Sequence, residues 1–382
     1  MHVGFSLLTL FPGRVGGSET YVRGLLREFA RSGQPERVTV LANRHVMAAY
    51  GELAHGPVRL HHVRSYRPGD RTVTRALAMA TARALPCRTA RDVPPAFDVV
   101  HFPVTVPIPR VEAPSVVTVF DLQHRDLPQL FSRAERAYRH WAYDGAARAA
   151  TFVVTTSAYS RDRLVEFVGI APERVAVIHM GIDHERFGPD PGADDERWAA
   201  SLGLPPRYVF YPANAWPHKN HERLIEALAA VSDRDLTLVL TGQAYGKLDA
   251  LLALARRHGI EQRVHHLGQV PAPVLPLLYR RAQALIFPSL YEGFGAPPLE
   301  AMACGCPVAS STNASLGEIC GDAALAFEPE ESASVAVAIE RIVSDEELRA
   351  RLRVAGLARA RSFSWAEAAR RHRQVYERAA RR

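Results

Sequence analysis

The stretch Glu292-Gly293-Phe294-Gly295-Ala296-Pro297-Pro298-Leu299-Glu300 decides the fold of this chain. It follows an apolar run, Ala284–Phe287, which predicts a buried strand, and it leads into a helix that we expect to begin near Pro297 and to stop at Gly305. Glycines let backbone amides come close to a ligand, and the start of a helix binds anions. Two carboxylates therefore bracket a strand-to-helix turn, one in the loop and one in the first helical turn. This arrangement suits a molecule with hydroxyls at both ends and a phosphate in the middle, such as a nucleotide sugar.

Each part of this stretch also has a purely structural explanation. Glu300 in a first helical turn would oppose the positive end of the helix dipole, and the glycines could form a loop with nothing bound. One ligand explains all nine residues together, so we favour the binding hypothesis for the string as a whole. For Glu300 taken alone, the structural explanation stays the stronger one.

The first half of the chain alternates strand and helix patterns, which predicts a parallel sheet covered by helices. Strands are predicted at His2–Leu8, Val38–Ala42, Val58–Val63, Val99–Phe102, Val116–Phe120, Phe152–Thr155 and Val175–Ile178. Helices are predicted at Glu19–Arg31, with Ser18 as its N-cap, and at Thr72–Leu85, Arg133–Ala149 and Arg161–Val168.

The pattern restarts after Gly188–Asp195, a stretch rich in proline, glycine and aspartate that is the best linker candidate. Strands are predicted at Tyr208–Tyr211, Leu236–Leu240, Val264–Leu267 and Ala284–Phe287. Helices are predicted at Asn220–Val231, Lys247–His258, Val274–Ala282 and from Trp365 to the end. A length of 382 residues favours two domains, which we place at 1–188 and 206–362, with a linker at 189–205 and a final helix at 363–382.

The nine-residue string resembles the signature of the family 4 retaining glycosyltransferases. Further matches to that family run through both halves of the chain: Ala301–Ser310, Gly321–Ala324, Tyr211-Pro212, His218-Lys219-Asn220, Leu224–Ala227, Gly16–Glu19, Asp98–His101 and Phe120–His124. The resemblance implies an α/β protein of the GT-B fold. In that fold two Rossmann-like domains have parallel sheets facing an interdomain cleft, and the last helix crosses back to the N-terminal, acceptor-side domain.

The resemblance also implies a role for each matching residue. Glu300 is expected to hydrogen-bond the ribose hydroxyls, and Glu292 to face the transferred sugar. Lys219 is expected to bind the donor phosphates. The other donor-binding candidates are Gly16, Gly17, His218, Gly293, Phe294, Gly295 and Leu299. For the glycine pair an ordinary turn before a helix, and for His218 a solvated loop histidine, are the alternatives.

The sequence departs from the family pattern in two places. The family usually has an arginine five residues before the lysine, where this chain has Asn214. Many members also have a His-Asp pair where this chain has Phe120-Asp121. We therefore take Asp121 and His124 as the catalytic candidates on the acceptor side, to orient a hydroxyl and to reach the sugar or acceptor. His101 is interpreted as a strand-end or structural residue.

Charge considerations favour a mechanism without a metal. Transfer from a nucleoside diphosphate requires that the departing diphosphate be stabilised. We find no Asp-x-Asp pair in a convincing strand-end turn, because Asp233-Arg234-Asp235 lies in a polar loop ahead of a strand. The positive charge must then come from Lys219 and from helix-start amides, with Asn220 capping the helix beside it. No metal and no cofactor are expected.

Composition narrows the class of protein further. The net charge of +7 is carried almost entirely by arginine, because Lys219 and Lys247 are the only lysines. These arginines are dispersed, which argues against nucleic-acid binding. One segment contains five arginines: Arg71, Arg75, Arg83, Arg88 and Arg91. It is either a plain solvated helix or a peripheral contact with anionic lipid.

The cysteines and the apolar segments indicate a cytoplasmic chain. Cys87, Cys304, Cys306 and Cys320 are sparse, so buried inert thiols are favoured over a structural zinc site. The apolar segment Val3–Phe11 lacks the flanks of a signal peptide and is interpreted as the first strand. No apolar run reaches membrane-spanning length. The expected location is cytoplasmic, with a position on the inner membrane face as the alternative.

These observations predict a metal-independent retaining hexosyltransferase. It would move a sugar from a nucleoside-diphosphate sugar, with GDP-mannose favoured, to a hydroxyl of a glycan, glycolipid or natural product. The family members it looks most like are bacterial mannosyl- and glucosyltransferases of polysaccharide synthesis. Two alternatives remain open, a sugar-nucleotide epimerase of GT-B architecture and a non-catalytic nucleotide-binding assembly partner.

Overall fold

The computed structural model describes residues 1–13, 16–31, 36–69, 72–84, 89, 91–94 and 96–382. Arg71, Cys87 and Arg88 lie outside the described residues, as do the side chains of Arg75 and Arg83. The chain divides into two compact units. The first unit comprises Met1–Gly181 together with Trp365–Arg382, and the second comprises Ile182–Ser364.

The first unit is built on a parallel sheet. Among the described residues it has seven strands in the order β3-β2-β1-β4-β5-β6-β7. The strands are β1 His2–Ser6, β2 Arg37–Ala42, β3 Val58–His62, β4 Val99–Phe102, β5 Ser115–Thr118, β6 Phe152–Thr155 and β7 Val175–Val177. Most of their residues are apolar and buried on both faces, as expected for parallel strands covered by helices. The strands predicted from the sequence are confirmed, two of them to the residue.

The helices of the first unit cover this sheet. They are α1 Gly16–Arg31, α2 Arg44–Ala49, α3 Thr72–Ala84, α4 Gln123–Asp126, α5 Arg133–Arg139, α6 Gly145–Ala149 and α7 Ala158–Arg163. A π turn, His140–Asp144, joins α5 to α6, and a second one, Leu164–Val168, extends α7. The prediction that Ser18 caps α1 is wrong, because the helix already begins at Gly16.

The second unit repeats the architecture with its own parallel sheet, in the order β10-β9-β8-β11-β12-β13. Its strands are β8 Tyr208–Pro212, β9 Thr237–Thr241, β10 Val264–His266, β11 Ala284–Phe287, β12 Val308–Ser311 and β13 Leu325–Phe327. Its helices are α8 Asp195–Leu202, α9 His221–Ala230, α10 Leu248–Arg257, α11 Val274–Arg281, α12 Ala296–Ala303, α13 Leu316–Cys320, α14 Ser332–Ser344 and α15 Glu346–Arg361. The sequence analysis did not predict β12 and β13, which are short, and β12 consists mostly of Ala and Ser.

The segment 189–205 is not a free linker. Helix α8 lies within it, and the whole segment belongs to the second unit. Arg280 of α11 donates three hydrogen bonds to Asp195. Two go to Oδ2, at 3.0 and 2.7 Å, and one goes to Oδ1, at 2.8 Å. Both side chains are largely buried, at 12% and 14% exposure, so this bidentate pair fixes the segment to the domain that follows it.

The last helix, α16 Trp365–Ala380, packs in the first unit, as the family resemblance implies. A buried hydrogen-bond chain fixes it against α1, β4 and β5. His372 Nδ1 donates to the carbonyl of Ala368, and its Nε2 accepts from the Tyr21 hydroxyl at 2.7 Å. Thr118 bonds Tyr21 at 2.9 Å and His101 at 2.7 Å. Burial favours the neutral imidazole at His372, in which Nε2 is free to accept this bond.

Two further contacts complete the packing of α16. His101 Nδ1 meets the hydroxyl of Tyr376 at 2.8 Å, so the structural interpretation of His101 is consistent with its position. Gly24 of α1 lies against the indole of Trp365, where an added Cβ would come within 2.2 Å of the ring. The absence of a side chain at Gly24 is what lets the two helices approach this closely.

The described cysteines are buried free thiols, as predicted for Cys304, Cys306 and Cys320. Burial raises the pKa of Cys304 and of Cys320 to about 12, which keeps both thiols protonated and unreactive. None of the described helices combines the length and apolar character that crossing a bilayer requires.

The buried His372 makes the first unit sensitive to acid. Burial, despite the bond to Ala368, lowers the pKa of His372 from 6.5 to about 4. Between these values the unfolded chain binds a proton that the folded chain does not, so stability is lost as the pH falls from 6.5 towards 4. At pH 5 the loss from this one histidine is about 2 kcal/mol.

Urea unfolding at pH 7 and pH 5 measures this effect. The fall in the free energy of unfolding from pH 7 to pH 5 should be smaller in His372→Gln than in the unmodified protein. In His258→Gln it should equal that of the unmodified protein, since His258 is exposed. Equal pH dependence in all three proteins would contradict the assignment of a neutral His372.

Candidate functional site

Two loops of the second unit meet where its strand order reverses. Strands β8 and β11 are neighbours in the sheet although they are far apart in sequence, and the chain leaves them toward opposite sides. Open parallel sheets bind ligands at this position, beyond the carboxyl ends of the strands. The loop after β8 contains His218 and Lys219, and the loop after β11 contains Glu292. The topology therefore brings together residues that are more than seventy positions apart.

Lys219 and Glu292 form an ion pair at this point. Lys219 Nζ lies 2.5 Å from Glu292 Oε1 and 5.8 Å from the centre of the Phe287 ring. The two side chains keep 17% and 13% of their exposure, so the pair is sheltered but reachable. A phosphate oxygen that displaced the carboxylate would gain a charge-assisted hydrogen bond from the ammonium.

The turn that carries Lys219 is fixed by its main chain. Residues Pro217–Lys219 form one 3₁₀ turn. The Tyr211 hydroxyl donates to the carbonyl of Lys219 at 2.7 Å, and the amide of Leu290 donates to the carbonyl of His218 at 2.8 Å. The second bond joins the two loops directly, so the lysine and the loop of Glu292 cannot move independently.

Asn220 acts differently from the predicted cap. It stands before α9 with φ at +60°, a left-handed conformation that asparagine tolerates, but its side chain makes no capping bond. Instead Nδ2 donates to the carbonyls of Pro288 at 3.2 Å and Pro329 at 2.7 Å. Asn220 thereby ties the lysine turn to the end of β11.

A serine holds the loop that carries Glu292. Ser315 Oγ is 2.9 Å from the carbonyl of Glu292 and 2.9 Å from that of Phe294. Gly295 follows with φ at +93°, and a Cβ there would come 2.6 Å from Leu316 Cδ2. Both the conformation and the close contact require glycine. The side chain of Phe294 is buried against Phe363, so Phe294 can meet a ligand only through its main chain.

Helix α12 begins at Ala296, one residue before its predicted start, and Gly305 follows its end with φ at +72°. Glu300 is therefore the fifth helical residue and lies beyond the first turn, which corrects the sequence prediction and weakens the dipole explanation. Pro297 and Pro298 have no amide hydrogen, so the helix start supplies fewer donors to an anion than a usual one.

Glu300 is held by a neighbouring tyrosine. The Tyr279 hydroxyl donates to Glu300 Oε2 at 2.9 Å. Burial raises the pKa of Glu300, while the bond from Tyr279 and the charge of Arg186 lower it. The tyrosine thus fixes one carboxylate oxygen. Leu299 is fully buried, so the prediction that it contacts a donor is restricted to its main chain.

His218 and Asn214 show how the loop after β8 departs from the sequence expectations. Burial, followed by the charge of Lys219, lowers the pKa of His218 to about 4, so it is a mostly buried neutral imidazole and not a solvated loop histidine. Asn214 Oδ1 accepts from the amide of Gln243 at 2.8 Å and links the loops after β8 and β9. Asn214 supplies no charge. Of the lysine and arginine that the family pattern pairs, this chain therefore has only the lysine, Lys219.

The remaining candidates lie in the first unit. Gly16 and Gly17 are the first residues of α1, exposed and with open space around their Cα atoms. Asp121 Oδ1 accepts from the amide of Gln123 at 3.0 Å at the start of α4. His124 is 1% exposed and faces His140 and Tyr143, with ring centroids 5.1 and 5.9 Å away.

The burial of His124 corrects the expectation that it reaches a sugar or an acceptor. In this structure its ring faces protein on all sides. Burial, followed by the charge of Arg139, lowers its pKa to about 4. We therefore leave His124 out of the catalytic set.

Sequence reasoning missed the residues that position the site. Ser315, Ser289 and Tyr279 contact the Glu292 loop, the lysine turn and Glu300, respectively. The sequence contained no signal for them, because each acts through a hydrogen bond to a residue that is distant in sequence. A hydroxyl that bonds a distant carbonyl leaves no pattern of spacing in the sequence.

Comparisons with known proteins match both halves of the chain. The family model described as Glycosyltransferase Family 4 matches residues 15–186, and the model described as Glycosyl transferases group 1 matches residues 193–359. The two models meet near the division between the units, and the second contains all of the residues around Lys219, Glu292 and Glu300.

Curated relatives and a solved structure give a consistent result. The chain is 29% identical to O-antigen chain mannosyltransferase B of Escherichia coli over 66% of its own length and 67% of that protein. It is 31% identical to the serotype-specific mannosyltransferase WbdA of Escherichia coli over 58% of its length, but this spans only 28% of WbdA. The crystal structure of Anabaena Alr3699/HepE in complex with UDP and glucose aligns with a TM-score of 0.74 at 21% identity, covering 99% of both chains. At that identity the structural match establishes the fold.

Removing the Tyr279 hydroxyl tests the expectation that Glu300 hydrogen-bonds the ribose hydroxyls of a nucleotide. Tyr279→Phe should weaken the binding of a nucleoside diphosphate roughly tenfold, because a hydrogen bond to a charged group is worth about 1.5–3 kcal/mol and its loss frees the carboxylate to rotate. Calorimetric titration measures the affinity.

Tyr208→Phe is the matched control. Tyr208 is equally buried and donates to the carbonyl of Leu278 at 3.0 Å, away from Glu300. Equal loss of affinity in the two variants would show that Tyr279 acts only through the stability of the domain.

Proposed function

The chain belongs to the family 4 glycosyltransferases of the GT-B fold, and from this premise we propose that it is a metal-independent, retaining hexosyltransferase. It transfers a hexose from a nucleoside-diphosphate sugar, GDP-mannose in our proposal, to a hydroxyl of a glycan, glycolipid or natural product. Neither the stereochemistry nor the donor follows from family membership alone, so both belong to the proposal.

The observation that carries the proposal is the Lys219–Glu292 pair at the strand-order reversal of the second unit. A cation and a carboxylate in contact match the two neighbouring parts of a donor, a diphosphate and a sugar with hydroxyls. Glu300, held by Tyr279, supplies the second carboxylate for the ribose. Lys219 and Glu292 lie on loops that hydrogen bonds hold together, and Glu300 lies on α12 with its carboxylate bonded to Tyr279, so the site is preorganised.

The proposed chemistry combines these positions with the retaining mechanism that the family resemblance implies. As the bond between the sugar and the diphosphate breaks, negative charge grows on the leaving phosphate oxygen, and the Lys219 ammonium stabilises it. Glu292 orients the sugar through its hydroxyls. The acceptor hydroxyl attacks from the side of the leaving group, which retains the anomeric configuration, and the leaving phosphate takes the acceptor proton. No protein base is needed in this scheme.

The names of the relatives support the choice of donor. Two of them are called mannosyltransferases, which favours a mannosyl donor. The HepE structure contains UDP and glucose, so UDP-glucose is the competing donor to test. A peripheral contact with anionic membrane remains part of the proposal on the basis of the arginine-rich segment alone.

Two other functions fit part of these observations. An epimerase would turn over the donor without an acceptor, and a non-catalytic partner would bind nucleotide without turnover. Asn214 in place of an arginine favours the second of these, because it removes one positive charge from the site. The Lys219–Glu292 pair favours transfer over both.

Substitution of the two lysines tests the proposal with a built-in control. Lys219→Met should lower kcat/KM for transfer roughly a hundredfold or more, since the loss of one group that stabilises transition-state charge costs that much. Lys247→Met should leave it unchanged within about twofold, because Lys247 is exposed at the start of α10.

The assay follows release of nucleoside diphosphate from GDP-mannose and from UDP-glucose, with a panel of glycoside acceptors and without Mg²⁺ or Mn²⁺. Faster turnover of GDP-mannose and an α-linked product would support the proposal. Equal activity of Lys219→Met and the unmodified protein would contradict it, as would a strict requirement for Mg²⁺ or turnover that needs no acceptor.

A further inference from the structure

A cluster of metal-ligating side chains lies in the first unit, on residues that the proposed sugar transfer does not use. His124 of α4 and His140 and Asp144 of the π turn each place one ligand atom within 4.8 Å of the others. His140 Nδ1 is 3.6 Å from Asp144 Oδ2, too far for a hydrogen bond. Two imidazoles and one carboxylate thus converge on a single point without bonding one another.

The three side chains of the cluster contain buried polar atoms that lack hydrogen-bond partners in the protein. Both ring nitrogens of His124, Nδ1 of His140 and Oδ1 of Asp144 are buried and accept or donate no hydrogen bond within the described part of the chain. Asp144 has a side-chain exposure of 2% and His124 an exposure of 1%. Leaving one buried polar group unpaired costs about 1–3 kcal/mol, so three residues that each offer such an atom at one place indicate an unseen ligand.

The backbone is shaped to produce this convergence. The helix that begins at Arg133 would continue regularly through Ala149, but the π turn at His140–Asp144 inserts a wider loop. This turn directs His140 and Asp144 toward α4. Single π turns inside α-helices cost stability and occur often at ligand sites.

The neighbouring charges decide which ion fits. Arg125 donates to Asp144 Oδ2 and so offsets the negative charge of the one carboxylate. Arg139 lies over the rings of Phe131 and Tyr143, 4.6 and 5.5 Å from their centres, and its positive charge also acts on His124. A hard cation such as Mg²⁺, which is held by oxygen and by negative charge, is disfavoured here. An ion held by imidazole nitrogen is favoured.

We propose that His124, His140 and Asp144 bind a divalent ion of the zinc class, with a water molecule as the fourth ligand. Zinc takes nitrogen ligands at about 2.0–2.1 Å in tetrahedral geometry, which places its ligand atoms roughly 3.3 Å apart, so the side chains would close in on the ion from separations of up to 4.8 Å. Arg125 would orient the bound carboxylate from outside.

The ion would join the start of α4, which follows Asp121, to the helix that contains the π turn. The role of the ion is therefore to position the segment that contains Asp121 and the start of α4. It is distinct from the neutralisation of a diphosphate, which the proposed mechanism assigns to Lys219 in the second unit. The metal site stands whether or not the proposed donor and stereochemistry are correct.

Cobalt binding tests the site directly, on full-length protein without a polyhistidine tag. Stripped protein should bind one equivalent of Co²⁺ and show the intense visible bands of a tetrahedral complex, which Zn²⁺ abolishes and Mg²⁺ does not. His140→Ala should weaken the binding roughly tenfold or more, and Asp144→Asn should do the same. His258→Ala, at an exposed histidine of the second unit, should leave it unchanged.

His140 is partly exposed, so the His140→Ala variant should still fold, and circular dichroism checks this. If His140→Ala does not fold, Asp144→Asn takes its place in the binding test. Absence of Co²⁺ and Zn²⁺ binding at micromolar concentration would overturn the proposal and leave ordered water as the occupant of the cluster. Binding of equal strength in the unmodified protein, His140→Ala and Asp144→Asn would overturn it as well.

Discussion

The contact between the Lys219 ammonium and the Glu292 carboxylate is the interaction on which the functional account depends. It exists because β8 and β11 are adjacent in the sheet of the second unit, so that the loops leaving them meet at one place. Neither loop could produce it alone. A sheltered ion pair gains little stability, since the cost of removing both charges from water offsets most of the attraction. In the proposed mechanism its value lies in holding two opposite charges ready for a ligand that contains both a phosphate and hydroxyls.

Hydroxyl groups that bond carbonyls keep this pair in position. Tyr211 holds the lysine turn, Ser315 holds the glutamate loop, and the Leu290 amide connects the two. The amides at the start of a helix are the other expected source of positive potential. Pro297 and Pro298 remove two of these donors from the start of α12. With Asn214 in place of an arginine, the site relies on Lys219 more than the family pattern would suggest. The scarcity of lysine in this arginine-rich chain agrees with that reliance.

Much of the fold could be predicted because parallel strands leave a strong signal. Ala284–Phe287 and Phe152–Thr155 are unbroken apolar runs, and the structure has strands with these same bounds. The strand Val308–Ser311 was missed because alanine and serine have little strand character. The segment 189–205 was misinterpreted because proline, glycine and aspartate indicate a loop, whereas the ion pair between Asp195 and Arg280 depends on a residue 85 positions away.

The candidate site was predicted in part for the same reason. Lys219 and Glu292 lie in loops close to strand ends, and Glu300 lies in the helix that follows the second loop, so local patterns are informative there. Leu299 and His124 were assigned a ligand role by their position in a motif, but burial is a property of the packed domain and not of the motif. Tyr279 contacts Glu300 from another helix, and no local pattern could have revealed it.

The most direct test of the central claim is a double-mutant cycle on nucleoside diphosphate affinity with Glu292→Gln, Lys219→Met and the double variant, measured by calorimetric titration. If the diphosphate displaces the Glu292 carboxylate from Lys219, Glu292→Gln alone should tighten binding by roughly three- to thirtyfold, a coupling of about 0.5–2 kcal/mol. The gain should vanish once Lys219 is methionine. Unchanged or weaker binding in Glu292→Gln, or an equal effect with and without Lys219, would contradict the account.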